Sequence, residues 1–217
     1  MNRPHVTVNC AMSIDGKIAL PTRKQLKISC ERDMARTHKL RNECDAVLVG
    51  IGTILSDNPK LTVKEKYVKK LRQPVRIILD TNCKTPENSF AVNSESKTLI
   101  AVSDECNRKY GENVEILKCK KDEDGFIELN RLLELLYSRG IKTLMVEGGS
   151  TVIWNFLRQN LADDLYVYIG SMIIGGKDTP TMADGKGIRN LDDLINLEIC
   201  ETKRVESGIL IHYRRVK

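Results

Sequence analysis

The chain has 217 residues, 41% hydrophobic and 29% charged, with a formal net charge of +6. This is the composition of an ordinary soluble globular protein, and no apolar run approaches the ~20 residues a membrane-spanning helix needs, so no membrane partner is expected. The charge suits an anionic ligand, but basic and acidic residues are interleaved almost everywhere, and three Phe, one Trp and six Tyr form no basic-aromatic stripe, so nucleic-acid binding is not expected.

The N-terminus passes straight into the alternating strand pattern Val6 to Ala11, with no secretory signal pattern before it. Asp15-Gly16 marks a turn. Ser29 is placed to cap a helix from about Glu31 to Glu43, whose first turn is acidic. Asp45 to Gly50 reads as a short buried strand, Lys64 to Arg72 as a solvated basic loop. Further strands are expected at Val75 to Leu79, Thr98 to Val102 and Val114 to Leu117. Leu129, Leu132, Leu133 and Leu136 fall on one face of a helix that Gly140 can end. Leu165 to Ile169 is another strand. Leu197 to Val205 and Ile209 to Val216, joined through Glu206-Ser-Gly, form a closing hairpin. Alternating strands and helices followed by an antiparallel end predict an α/β mixed sheet flanked by helices, in a single domain spanning residues 1–217.

Seven scattered cysteines (Cys10, Cys30, Cys44, Cys83, Cys106, Cys119 and Cys200) contain no Cys-x-x-Cys pair, and His5, His38 and His212 lie far apart. Zinc-ligand spacing is therefore missing, no metal is expected, and reduced thiols in a cytoplasmic protein are the expectation.

Two segments carry chemistry. In Lys142-Thr-Leu-Met-Val-Glu-Gly-Gly-Ser-Thr-Val-Ile-Trp, an apolar strand ends at Glu147, Gly148 and Gly149 make a tight turn, and Ser150 or Thr151 caps a new helix. Glycines permit close backbone approach, and the unpaired amides of a helix start attract phosphate, while Glu147 is placed to hold a hydroxyl-rich group. In Val49-Gly-Ile-Gly-Thr-Ile-Leu, the start of a dinucleotide fingerprint lacks its third glycine, because Leu55 occupies that position. Thr53 and Asp57 follow, one helical turn apart and able to face one ligand.

Six segments in register resemble the reductases of riboflavin biosynthesis that act on a ribosylamino-pyrimidine 5′-phosphate. They are Asn9-Cys-Ala-Met-Ser-Ile-Asp-Gly-Lys-Ile-Ala, Ile28-Ser-Cys-Glu through Leu40-Arg41, Ala46 through Val63, Pro74-Val-Arg-Ile-Ile-Leu-Asp-Thr, Val146-Glu-Gly-Gly and Ile174-Gly-Gly. The resemblance implies a dihydrofolate-reductase-like fold, NADPH as cofactor and a homodimer. It places Ala11, Thr53 and Asp57 at the nicotinamide, and Thr81, Asn82, Cys83 and Lys84 at the adenosine half, with Lys84 for the 2′-phosphate. Gly148, Gly149, Ser150 and Thr151 would take the pyrophosphate. For the substrate it implies Asn9, Gln25, Arg41, Leu61, Lys64 and Glu147. Arg41 suits a phosphate because its fork bonds two oxygens at once. Lys64 stands where bacterial relatives have arginine; it keeps the charge without the bidentate geometry.

The expected chemistry delivers hydride to C1′ of the opened ribosyl ring, giving a ribityl chain. Asp15 and Asp57 are the acids near the reacting groups and the candidates for proton transfer, with water as the alternative. The H-x-E and P-C-x-x-C signature of the zinc deaminase fused to bacterial reductases is missing. Position 9 is lysine in bacterial reductases, whereas Asn9 can accept as well as donate, which suits an exocyclic amine and favours the 2,5-diamino substrate. The alternatives are reduction of the deaminated pyrimidine, or a dihydrofolate or pterin reductase, against which Arg41 and Lys64 argue. A basic nucleic-acid-binding module is the most distant alternative.

Overall fold

The structure, a computed structural model, describes residues 2–22 and 26–216. Its elements in chain order are β1 (His5–Ser13), α1 (Glu31–Glu43), β2 (Ala46–Gly50), α2 (Ile51–Asp57), β3 (Val75–Leu79), β4 (Thr98–Val102), β5 (Val114–Lys118), α3 (Leu129–Ser138), β6 (Thr143–Gly148), α4 (Ser150–Arg158), β7 (Asp164–Gly170), β8 (Leu197–Val205) and β9 (Gly208–Arg215). Among the described residues this is a mixed nine-stranded sheet with flanking helices and an antiparallel C-terminal pair, as the alternating pattern predicts. No helix among them is long and apolar enough to cross a membrane. The chain divides into two compact units, Met1–His5 with His38–Met145, and Val6–Thr37 with Val146–Lys217.

In the first unit β2, β3, β4 and β5 are parallel and lie in the order β5-β4-β3-β2. Every residue of β2 and β4 is buried, as expected of parallel strands covered on both faces. Val47, Val49, Ile78, Ile100 and Val102 join Ile54 of α2 and Leu61 in one apolar cluster. Burying each such side chain contributes about 1.5–3 kcal/mol. In α3 the spacing of Leu129, Leu132, Leu133 and Leu136 puts all four inside, and Gly140 follows at φ +86°, a left-handed conformation that suits glycine.

In the second unit β1 and β7 are parallel, β9 runs antiparallel to β7, and β8 forms the outer strand of the hairpin, with a register shift between Ile199 and Glu201. The hairpin turns through Glu206 at φ +52°. Tyr168 and Leu210 pack with Ile28 in this unit's core.

Two expectations are corrected. The cap of α4 is Gly149, not Ser150 or Thr151; Ser150 is already the first helical residue, and no side chain caps this helix start. The cysteines are not all reduced either. Cys83 and Cys106 form a disulfide, with Cα atoms 5.3 Å apart, and the other cysteines are not disulfide-bonded. The Thr81 carbonyl accepts from the amides of Ser103 and Asp104. That contact seats the 81–84 turn against the segment carrying Cys106, a proximity the sequence spacing does not reveal.

Candidate active site

In the first unit, β2 runs directly into α2, with Gly50 as the helix N-cap and no side-chain cap. Thr53 and Asp57 lie four residues apart on this one short helix, the relation the sequence predicts. The helix stops at Asn58, which takes a left-handed conformation (φ 43°). Leu61 is buried although its φ is +56°. A non-glycine residue there costs on the order of 1–3 kcal/mol, and such strain concentrates at ligand sites.

Arg41, in the last turn of α1, donates to the Thr62 carbonyl at 3.0 Å. The Lys64 amide donates to His38 Nδ1 at 3.3 Å, and the His38 ring stacks on Tyr67 with centroids 4.7 Å apart. These contacts bring Arg41, Leu61 and Lys64 into one local group. The Lys64 residue itself is exposed.

The 81–84 turn is organised by Asp80, a residue the sequence reading left without a role. Its fully buried carboxylate accepts from the Lys84 amide at 2.8 Å, the Thr85 amide at 2.6 Å and the Thr85 hydroxyl at 2.7 Å. Its carbonyl accepts from the Cys83 amide at 3.1 Å, and Arg108 Nε donates to the Cys83 carbonyl at 2.9 Å. Cys83 sits at φ +52°, buried and disulfide-bonded, while Asn82 and Lys84 are exposed.

In the second unit, half-buried Glu147 is followed by Gly148 at φ +132° and Gly149 at the start of α4. A side chain at position 148 would strain that conformation. Glu147, Gly148, Gly149, Ser150 and Thr151 thus form one contiguous strand-turn-helix group, whose opening amides have no side-chain cap.

Asn9 and Ala11 lie two residues apart on β1, on one face of that strand. The Asn9 oxygen accepts from Arg36 Nη2 at 2.7 Å. One of the two acceptor positions of the Asn9 oxygen is therefore engaged by the protein. Arg36 escaped the sequence reading; the signal for it is Asp33 three residues earlier on the same helix, with which it pairs at 2.7 Å. Gln25 lies outside the described residues.

Asp15 is held by three hydrogen bonds. It accepts from Ser13 Oγ at 2.6 Å, the Gly175 amide at 2.7 Å and the Ile174 amide at 3.1 Å. The Ser13 and Gly175 bonds hold its carboxyl well below the usual range, at about 2 instead of 3.8. A carboxylate so held is ionised near neutral pH and pins the Ile174-Gly175-Gly176 turn. Because its pKa falls on folding, the stabilisation is complete above pH 3.8 and is lost as pH falls through about 2. Asp15→Asn is expected to raise amide hydrogen exchange at Ile174 and Gly175 without moving the alkaline limb of kcat. Loss of that limb in the variant would identify Asp15 as the proton donor.

Comparison with known proteins gives a consistent result. The family model described as the RibD C-terminal domain matches residues 4–211. The chain is 40% identical to the 2,5-diamino-6-ribosylamino-4(3H)-pyrimidinone 5′-phosphate reductase of Archaeoglobus fulgidus, over 94% of this chain and 93% of the relative. Among solved structures it is similar to the diaminohydroxyphosphoribosylaminopyrimidine deaminase/5-amino-6-(5-phosphoribosylamino)uracil reductase of Thermotoga maritima, at TM-score 0.82 and 27% identity, covering 99% of this chain and 57% of that one. In fold alone it is similar to an Enterococcus faecalis dihydrofolate reductase, at TM-score 0.52 and 13% identity, covering 98% of this chain and 97% of that one.

Proposed function

We propose, from the premise that the chain belongs to the RibD C-terminal domain family, that it is an NADPH-dependent reductase of riboflavin biosynthesis. Its substrate is 2,5-diamino-6-ribosylamino-4(3H)-pyrimidinone 5′-phosphate and its product the ribitylamino compound. The observation that carries this reading is the full-length likeness to the archaeal reductase of that name.

The residues fit a nicotinamide dinucleotide. The start of α4 after Gly148, where the cap residue makes no side-chain cap bond, is placed to turn helix amides toward a pyrophosphate, and the exposed Lys84 on the Asp80-built turn offers a cation to a 2′-phosphate. Ala11, Thr53 and Asp57 are assigned to the nicotinamide, and Thr81, Asn82 and Cys83 to the adenosine. When bound, NADPH supplies the hydride that reduces C1′ of the opened ribosyl chain. The protein's part is to orient the reacting carbons and exclude water.

Arg41 and Lys64 hold the 5′-phosphate of the substrate, Leu61 packs on it, Glu147 accepts from its ribosyl hydroxyls, and Asn9 meets the pyrimidine. With Asp15 kept ionised, Asp57 and solvent water are the sources of the proton. The reading includes a cytoplasmic enzyme acting as a single reductase domain and forming a homodimer. The almost wholly exposed outer strand β8 supports the last point, since unpaired strand edges invite pairing.

The test is NADPH oxidation, followed by the absorbance of the reduced nicotinamide whose hydride the reaction consumes, with the diamino and deaminated compounds side by side. Faster turnover of the diamino compound is expected. Turnover of neither would overturn the reading, and preference for the deaminated compound would reassign the enzyme to the other order of the pathway.

A further inference from the structure

Asn9, Tyr166 and His212 are register partners on β1, β7 and β9, so their side chains form a row across one face of the second unit's sheet. Tyr166 and His212 stack with centroids 4.3 Å apart, and His212 Nε2 meets Asp164 Oδ1 at 2.6 Å. The Arg36 guanidinium lies 5.7 Å from the centre of the Tyr166 ring. Its Nε donates to Asp33 Oδ1 at 2.8 Å. Asp33 is 1% exposed and in turn accepts from Ser29 Oγ at 2.6 Å. Arg36 is thus held on two sides, by a buried carboxylate and an aromatic face, and its remaining fork points at Asn9.

A guanidinium has five donors and no acceptor. The group of Asn9 that faces it at 2.7 Å must therefore be the carbonyl oxygen, and the amide nitrogen must point the other way. That nitrogen makes no hydrogen bond among the described residues, in a residue that is 8% exposed. The residue is thus largely buried with its oxygen engaged, while its NH2, which is not among the fully buried unpartnered atoms, remains open to an acceptor from outside.

We infer that Arg36 is a positioning residue that holds the Asn9 oxygen and so aims its NH2 as a hydrogen-bond donor at an acceptor atom of the pyrimidine. This rests on the proposed function for the identity of the ligand. The acceptor is a ring carbonyl oxygen or an unprotonated ring nitrogen. The asparagine then offers the ligand the same donor sense that a lysine would, without the charge. Any discrimination between the diamino and deaminated compounds by Asn9 comes from which acceptors the ring presents.

Asn9→Asp keeps the shape and the Arg36 contact but removes the donor. It is expected to lower kcat/KM by about 10- to 100-fold, the effect of one lost hydrogen bond to a buried site, with KM for NADPH within about twofold. A loss confined to the diamino compound identifies the ring nitrogen as the acceptor; an equal loss on both compounds identifies the shared carbonyl; both support the inference. Arg36→Met lets the amide rotate and is expected to lower kcat/KM by a smaller factor, which Arg36→Lys, also donor-only, partly restores.

A second measurement is independent of turnover. With 15N-asparagine labelling, the Asn9 NH2 pair, identified by its loss in Asn9→Asp, is expected to be a single sharp pair in the wild-type protein. It should shift and broaden in Arg36→Met. If the NH2 pair and kcat/KM are both unchanged in Arg36→Met, the inference is overturned. If the wild-type protein reduces neither compound, the functional reading fails, and the NH2 pair still decides whether Arg36 holds Asn9.

Discussion

Arg76→Leu is expected to lower the stability of the fold by about 3–5 kcal/mol, and the melting temperature by roughly 6–20 °C. Arg76 sits on β3 with no exposed surface, inside an otherwise apolar strand. Its guanidinium donates to Thr98 Oγ1 at 2.9 Å, Asn93 Oδ1 at 2.8 Å and the Phe90 carbonyl at 3.3 Å, and also to the carbonyls of Asn93 and Ser96. It therefore gathers the loop between β3 and β4 onto the strand. Burial pushes its pKa down from 12.5 to about 10, so the group stays protonated near neutral pH. Leucine would fill much of the volume, but the loop would lose the charged donor that ties it to the strand; the Asn93 and Ser96 carbonyls would keep only the Asn113 side-chain amide, at 2.7 and 3.1 Å, and a buried polar group short of a partner costs about 1–3 kcal/mol. Urea denaturation of the two proteins measures the difference. A change below ~1 kcal/mol would mean that water replaces the guanidinium, and that the loop does not depend on it.

Asp80→Ala is the second large effect, expected at about 2–4 kcal/mol because it strips three donors of a buried charged acceptor. The disulfide at Cys83 and the Arg108 contact with the Cys83 carbonyl keep the turn attached to its neighbours, so the chain should still fold. The turn itself, however, loses the group that shapes Thr81 through Thr85. If this turn holds the adenosine half of the cofactor, KM for NADPH rises by about tenfold while KM for the pyrimidine stays within about twofold, the equivalent of ~1.4 kcal/mol in cofactor binding. Asp80→Asn, which retains acceptor capacity on one atom, should fall between the wild-type protein and Asp80→Ala. Destabilisation without any change in KM for NADPH would separate the turn from cofactor binding.

Much of this architecture is legible in the sequence because the signals are local. The leucine spacing over 129–136 and the glycine at 140 specify both the buried face and the end of α3. The apolar runs at 46–50, 75–79 and 98–102 are strands where the pattern puts them. Glu147-Gly-Gly-Ser-Thr is strand, turn and helix start in order, differing only in that Gly149 takes the cap position. A serine or threonine there could cap the opening amides with its hydroxyl; glycine has no side chain to do so. The Cys83–Cys106 pair was not legible, since odd, scattered cysteines carry no pairing signal and only the seating of one loop on another brings these two together.

The sequence by itself determined the order of strands and helices, the strand-turn-helix at Glu147-Gly-Gly, and the residue types placed at the candidate site. These follow from the periodicity of side chains along a helix or strand and from the conformational freedom of glycine, which act over a few residues. The tertiary structure decided the chemical state of those residues. Asp15 is an ionised anchor because an amide 160 positions away donates to it, and Asn9 is a donor because Arg36, 27 positions away, takes its oxygen. Protonation and amide orientation are set by the partners a group meets in space, and folding chooses those partners.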